Sequence, residues 1–487
     1  MHHSLPPTRR VLTQPQLLAL GKRLLAASDR WFSVRVEHVA YAVTKVANGR
    51  VSTQDGDRVQ FFIVSAYGSG FPLSIDSNQL NDVTLGRVLE MVERAAPPRP
   101  PANEIEPDDP DDDQYYTYNA QALPPVALWH DSTAAAMDTA RGEVIPALTE
   151  QIGKAGLMGA TTVGFSARSL LYLYKQGLTS FSEETDSEVT VTARSKTGSA
   201  SGWSGAADRD WSRVVPADVA ARAITLSELS RNPVAFEPGR RVAILGPAAV
   251  AQLVFEMASA FEAGCVRLGA SPLSDPRRTN GQRTKIGRRV FDPRLTLLSD
   301  PADQMGGFPP FFDDFSIEWK VKGYPTPAIT WIEGGILKNL AYKVEGAAGL
   351  RLTAADVPRS AHMTTVPGTK TATIEEMIAN CQEGVYVNRF SDMQLLDDKT
   401  MMMTGVTRDG CFLIKNGKIH KPIKNLRFTD SPFFAFNKVL MVGKEERVAF
   451  GAPRSTGEYQ SRWPRLPVIV PPMMIQDFNF SALCDAI

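Results

Sequence analysis

The stretch PGRRVAILGPAAVAQLVFEMASAFEA, residues 238–263, decides how the chain is read. Pro238-Gly239 is a turn, residues 241–245 are a short buried strand, and Gly246-Pro247 is the break before a helix. Over residues 248–263 Val250, Leu253, Val254, Met257, Ala258 and Phe261 recur at helical spacing, with Gln252, Glu256 and Glu262 off that stripe. Glu256 is the acidic residue that sits mid-helix beside it. Paired histidines on one helix can hold a zinc ion while an adjacent glutamate acts as base. Here Phe255 precedes Glu256 and Ala260 stands four residues beyond it, so the helical frame is present without side chains that would carry metal.

Working outward toward the N-terminus, residues 14–27 carry Leu17, Leu18, Leu20, Leu24 and Leu25 at helical spacing, closed by Ser28-Asp29. Phe32, Val34 and Val36 alternate with polar residues, residues 41–46 repeat the pattern, and Asn48-Gly49 supplies a hairpin turn. Strands follow over residues 59–66 and 72–75, then a helix over 80–95. Residues 1–96 are thus expected to form an α+β domain, an antiparallel sheet with helices. Residues 97–118 read as an acidic, proline-rich linker, because PPRPPANEIEPDDPDDD (97–113) combines prolines with like charges and cannot bury enough apolar surface to order itself. Its repetitive carboxylates lack the ligand order of a calcium or magnesium loop. Deleting residues 97–113 is expected to leave the melting temperature nearly unchanged. A drop of more than several degrees in a calorimetric scan would show instead that the segment packs against a domain.

Residues 119–235 form a middle α+β region. Asp131-Ser132 caps a helix over 134–151 that Pro146 should bend or divide, strands fall at 161–165, 170–174 and 188–193, residues 195–205 (SKTGSASGWSG) read as a flexible loop, and 216–231 as a helix. Residues 236–487 are expected to be a β-rich domain, two sheets or a distorted barrel, with turns at Gly323, Gly334-Gly335 and Asn416-Gly417 and a short helix over 374–382.

Composition narrows the function classes. At 487 residues the chain is too long for one ordinary core. Its formal net charge is zero, charged residues make up 22%, and no basic block tracks a phosphate backbone, which argues against nucleic acid as a direct partner. No window approaches the roughly 20 apolar residues of a membrane helix, and no apolar run of signal-peptide length follows the start, so a soluble, cytoplasmic protein with no membrane partner is expected. Cys265, Cys381, Cys411 and Cys484 lie far apart with no paired spacing, which predicts isolated thiols.

The familiar catalytic signatures are missing. The histidines at 2, 3, 38, 130, 362 and 420 show no metal-binding spacing beyond the terminal pair, and neither His362 nor His420 comes with a base or nucleophile in its local motif. There is no nucleophile elbow and no phosphate-cradling loop. Asp300, Asp313, Asp314 and Glu318 could converge on a cation, but acidic residues flanking turns commonly serve as turn ligands.

Six stretches in order nevertheless carry a resemblance: VRVEHVAYAVTKVANGRV (34–51), PGRRVAILGPAAVAQLV (238–254), GASPLSDPRRTNGQRTKIGRRVFDPRLTLLSDP (269–301), WIEGGILKNLAYKVEGA (331–347), VPGTKTATIEEMIANCQEGVYV (366–387) and TGVTRDGCFLIKNGKIHKPI (404–423). Together they resemble the TldD/PmbA family, whose paired subunits form a cytoplasmic zinc-dependent peptidase acting on unfolded peptides and peptide-antibiotic precursors. In the metal-bearing branch the helix carries His-Glu-x-x-x-His, where this chain reads Phe255-Glu256-Met257-Ala258-Ser259-Ala260, and a cysteine ligand lies nearer the C-terminus. Here both histidines are replaced and no cysteine stands in residues 451–459. The resemblance therefore implies the PmbA-like branch lacking the metal motif. It implies no cofactor in this chain, zinc in a TldD-like partner subunit, and an unfolded peptide bound as an added β-strand. Other readings are a self-associating peptide-binding or scaffold protein, and an independent hydrolase built around Asp313, Asp314 and Glu318. Peptide-binding residues are not assigned.

Overall fold

The computed structural model describes residues 10–65, 73–79, 81–96, 125–175, 179–278, 283–308, 311–314, 322–325, 327–342, 365–368, 372–449 and 468–484. The linker reading at 97–118, His2, His3, His362, Glu318 and residues 451–459 lie outside them.

The first lobe begins with helix α1 (Gln14–Ala26), started by a capping box between Thr13 and Gln16. Strands β1 (Trp31–Ala47) and β2 (Arg50–Ser65) form a hairpin closed by Asn48 and Gly49, both at positive φ (51° and 71°), as a two-residue turn matched to strand twist requires. The sequence pattern breaks β1 into two runs, whereas the structure makes it one strand of 17 residues. Strand β3 (Leu73–Ser77), helix α2 (Asp82–Ala95), β4 (Val126–Leu128), helix α3 (Asp131–Lys154), β5 (Met158–Tyr174), β6 (Thr179–Arg194), β7 (Ser201–Asp208) and helix α4 (Pro216–Leu229) follow. Helix α3 continues through Pro146. The loop expected over 195–205 gives way at Ser201 to β7, and its glycine explains the fit: a Cβ on Gly202 would sit 2.2 Å from the carbonyl oxygen of Ala223, so α4 lies directly on the β7 backbone.

These strands make one seven-stranded sheet in the order β3-β2-β1-β5-β6-β4, with β7 also on β6. Because β1 pairs with β5, Ala40 opposite Ala167, strands on either side of residues 97–118 share it. Leu17, Leu20 and Leu24 of α1 pack on Val34, Val36 and Phe61, while Met137 and Leu148 of α3 and Val219 and Ala223 of α4 pack on Phe165, Val189 and Val191.

The second lobe contains β8 (Gly239–Leu245), α5 (Pro247–Glu256), a 3-10 turn (Met257–Phe261), α6 (Ala263–Leu268), β9 (Leu297–Ser299), β10 (Phe311–Asp314), β11 (Lys322–Pro325), β12 (Ile329–Glu333) and β13 (Ile336–Leu337). It continues with α7 (Ile374–Ala379), β14 (Glu383–Asp397), β15 (Met402–Lys415), β16 (Lys418–Pro422), β17 (Leu426–Asp430), α8 (Pro432–Ala435), β18 (Val439–Val442), β19 (Glu446–Arg447), β20 (Ile469–Val470) and β21 (Met473–Leu483). Strand β14 pairs with both β8 and β15, which closes β14-β8-β21-β17-β15 into a five-strand barrel flanked by smaller sheets. Phe390, Phe428 and Phe478 cluster in the core, with centroids 4.4 Å and 5.3 Å apart for the first and last pairs with Phe428. Gly334-Gly335 and Asn416-Gly417 turn at positive φ as expected, but Gly323 lies within β11, opposite Asp313.

A buried ionic chain ties the lobes. Arg168 reaches Glu37 (2.6 Å) and Glu184 (3.2 Å), Arg209 reaches Glu184 (3.0 Å) and donates to the Gly307 carbonyl of the second lobe, and Arg447 meets Asp186 at 2.6 Å. Burial alone would raise the Glu37 carboxyl, yet Arg168, Arg35 and Arg58 together hold it below the usual carboxylate range. At Asp186 burial wins over Arg447 and pushes the carboxyl up. All four cysteines are free thiols. No helix among the described residues is long and apolar enough to cross a membrane.

Candidate functional site

The helix expected over residues 248–263 is shorter than its periodicity suggests. Helix α5 ends at Glu256, the backbone tightens into the 3-10 turn, and Glu262 is extended (φ −62°, ψ 116°) before α6. The cause is competition from a neighbouring segment: Ala341 donates to the Phe261 carbonyl (2.9 Å) and accepts from the Ala263 amide (2.7 Å), pulling those backbone groups out of any helical ladder. The Ser271 hydroxyl satisfies the Ala260 carbonyl at 2.6 Å. Glu256 is therefore a helix terminus and not a mid-helix residue.

This break separates the positions the sequence aligned. Phe255 is 59% exposed, whereas Ala260 is 4% exposed and belongs to the core of the second lobe. Glu256 lies at the surface with no ion pair among the described residues, and partial desolvation alone raises its carboxyl pKa. Gln252, one turn earlier, is used structurally: its side-chain oxygen accepts from the Phe390 amide at 2.9 Å, fixing α5 to β14. A phenyl ring and a methyl group have no lone pair to offer zinc, so the residues at 255 and 260 do not fit the metal. Among the described residues no three His, Cys, Asp or Glu side chains come together as a metal-holding group.

The other sequence candidates are dispersed. His38 is buried, its Nδ1 accepts from the Leu12 amide (3.1 Å), and its Nε2 lies 2.5 Å from Asp57. His130 precedes α3, 3.8 Å from Asp210, and His420 is exposed on β16. Asp300 accepts from the Ala302 amide at 2.8 Å, a turn ligand, and Asp313 and Asp314 pair in β10 with Gly323 and Lys322.

At the opposite end of α5 lies a feature the sequence reading did not find. A cavity of about 320 Å³ opens between the lobes, walled by Trp203 of β7, Arg222 of α4, Ala248 of α5, Ile378 of α7, and Tyr386 and Asn388 of β14. Its wall contains a β-bulge, where Asp409 and Gly410 face the single residue Asn388, Asp409 in the left-handed region (φ 54°) and Gly410 at φ 128°. The Asn388 amide nitrogen donates to the carbonyls of Asp409 (3.0 Å) and, across the lobe junction, Trp203 (2.8 Å). The Asp-Gly pair inside an apolar strand was the readable signal for this bulge.

Over residues 238–482 the chain matches the PmbA/TldA metallopeptidase C-terminal domain. No curated protein matches it. Three solved structures share its architecture: a candidate modulator of DNA gyrase from Bacteroides thetaiotaomicron (TM-score 0.66, 15% identity, 97% of this chain and 100% of that one), another from Thermotoga maritima (0.65, 14%, 95% and 99%), and TldE from Thermococcus kodakarensis (0.62, 14%, 95% and 99%). At these identities the likeness is one of fold, and it runs through both lobes. The family match spans half the chain and takes in every strand of the barrel together with the helix that ends at Glu256; the chain belongs to the TldD/PmbA family.

Proposed function

We propose that this chain is a non-catalytic subunit of a cytoplasmic TldD/PmbA-type peptidase, pairing with a zinc-bearing TldD-like partner and helping to enclose unfolded peptide. The observation that carries this reading is the donor set on α5. Phe255 and Ala260 replace the ligands that the family's metal-bearing branch holds there, and what remains is a surface carboxylate. Without imidazoles to hold zinc, no bound water is acidified for Glu256 to deprotonate. The fold shared with a protein named TldE supports a subunit role of this kind.

Co-purification from the native host with metal analysis tests it. The expected result is a complex with a His-Glu-x-x-x-His homologue that carries the zinc, while the isolated chain after dialysis holds zinc at background. Recovery of the chain only with copies of itself would favour the scaffold reading. In the reconstituted pair, Glu256→Gln should change peptide hydrolysis by less than about threefold, under ~1 kcal/mol, because its carboxylate has no metal-bound water to act on. The corresponding change in the partner should abolish turnover. Loss of turnover from Glu256→Gln alone would make this subunit catalytic.

A further inference from the structure

The cavity between the lobes is separate from the degenerate motif, nine residues back along α5 from Glu256 and so roughly 13 Å away. Its construction is specific. Gly205 lets β7 approach the second lobe, since a Cβ there would sit 2.9 Å from that of Ala449, and a Cβ on Gly246 would meet the Asn388 carbonyl at 3.0 Å. Asp409 is left-handed and Gly410 lies at φ 128°, and together they form the bulge that shapes this wall, Asp being one of the residues that tolerates that region. Arg389 anchors the bulge through the Asp409 carboxylate and lies 5.1 Å from the Trp203 ring centroid.

The lining divides into two kinds of surface. Leu226, Ile378, Phe412 and Val448 supply an apolar floor. Arg222, Glu375 and Glu446 supply charge, each exposed and each without an ion pair among the described residues. All three act on the buried Tyr386 hydroxyl, whose pKa burial pushes up to about 12, with Arg222 opposing and the two carboxylates reinforcing the shift, so the phenol stays protonated and donates to Asn388 at 3.3 Å. Arg447, also in the wall, is already matched by Asp186. At about 320 Å³ the cavity lies near the lower limit of ligand-site volumes and suits a small molecule. Among the described residues Arg222, Glu375 and Glu446 line this cavity without ion pairs, and with the apolar floor they complement a molecule with a carboxylate, an ammonium and an aliphatic or aromatic side chain.

We propose that this cavity binds a zwitterionic amino acid or dipeptide with an apolar side chain, its carboxylate at Arg222 and its ammonium between Glu375 and Glu446. The site belongs to this chain alone and does not depend on the subunit reading above. Calorimetric titration of the isolated full chain with leucyl-leucine tests it. Saturable binding at one site per chain is expected, lost when both ends are blocked as N-acetyl-leucyl-leucine amide. Arg222→Gln should weaken the free dipeptide about tenfold, the scale of one hydrogen bond to a charged group, while leaving binding of leucyl-leucine amide unchanged. Glu375→Gln with Glu446→Gln should weaken both. These side chains are exposed, so unchanged melting temperatures are expected to certify folding. No saturable heat into the millimolar range, equal binding of the doubly blocked peptide, or indifference to all three substitutions would overturn the proposal. Because no partner subunit is present in the titration, failure to find a peptidase partner would leave its outcome untouched.

Discussion

Arg209→Met is expected to cost about 3–5 kcal/mol of folding stability, the scale of leaving a buried charge-paired group without its counterpart. Arg209 is 1% exposed, and three elements meet on it. Its guanidinium takes Glu184 of β6 at 3.0 Å and the Gly307 carbonyl of the second lobe, while its own carbonyl accepts from Thr133 of α3 (2.6 Å) and Thr185 (3.0 Å). Methionine keeps the apolar stem but leaves Glu184, among the described residues, with only the 3.2 Å contact to Arg168, and leaves the Gly307 carbonyl without that donor. The loop around Gly307 is tethered by its own backbone, the Gly307 amide donating to the Asp303 carbonyl at 2.7 Å. Arg213→Met is the control: that arginine is two-thirds exposed and 3.7 Å from Asp210, so its loss should stay within about 0.5 kcal/mol. Urea unfolding followed by circular dichroism reads both. A loss below about 1 kcal/mol for Arg209→Met would mean that the interlobe contact is not held by this residue.

Local features of the fold were legible because their causes are local. Asn48-Gly49 and Asn416-Gly417 name their turns through residues that tolerate positive φ, and the apolar positions Val34 and Val36 of β1 are the face that packs on α1. What the sequence could not show are pairings between distant segments. Ala40 meets Ala167 across more than a hundred residues, and no periodicity encodes that partner. The closure of the barrel depends on β14 bonding β8 in parallel and β15 in antiparallel fashion, which the hydrophobic pattern of β14 does not distinguish from ordinary sheet membership. The truncated α5 is the clearest instance: its apolar stripe continues to Phe261, yet the bonds to Ala341 decide where the helix stops. The same limit applies to the site. Phe255, Glu256 and Ala260 could be picked from the sequence as a unit, but their divergence into exposed and buried positions is tertiary. The cavity residues come from β7, α4, α5, α7 and β14 and share no motif.

That divergence sets the expected outcome of placing histidines at positions 255 and 260. Phe255→His with Ala260→His should cost about 3 kcal/mol and still yield no zinc retention above the unsubstituted chain. The cost falls almost wholly on one position. Ala260 packs at 4% exposure among the core side chains of the second lobe, its carbonyl fixed by Ser271, so an imidazole there overfills a packed space and buries ring nitrogens that need partners. Phe255 is 59% exposed, and Phe255→His alone should be nearly neutral. For zinc, two imidazoles are useful only if both lone pairs reach one point, and here one side chain enters the core while the other faces outward. A third ligand is also wanting, because no cysteine stands in residues 451–459. The single and double variants, compared by chemical unfolding and by elemental analysis after dialysis, separate the two effects. A stable double variant holding close to one equivalent of zinc would require the 3-10 turn to rewind into helix against the Ala341 bonds. It would show that a metal-binding geometry is accessible to this chain and that only the side chains at these positions keep zinc away.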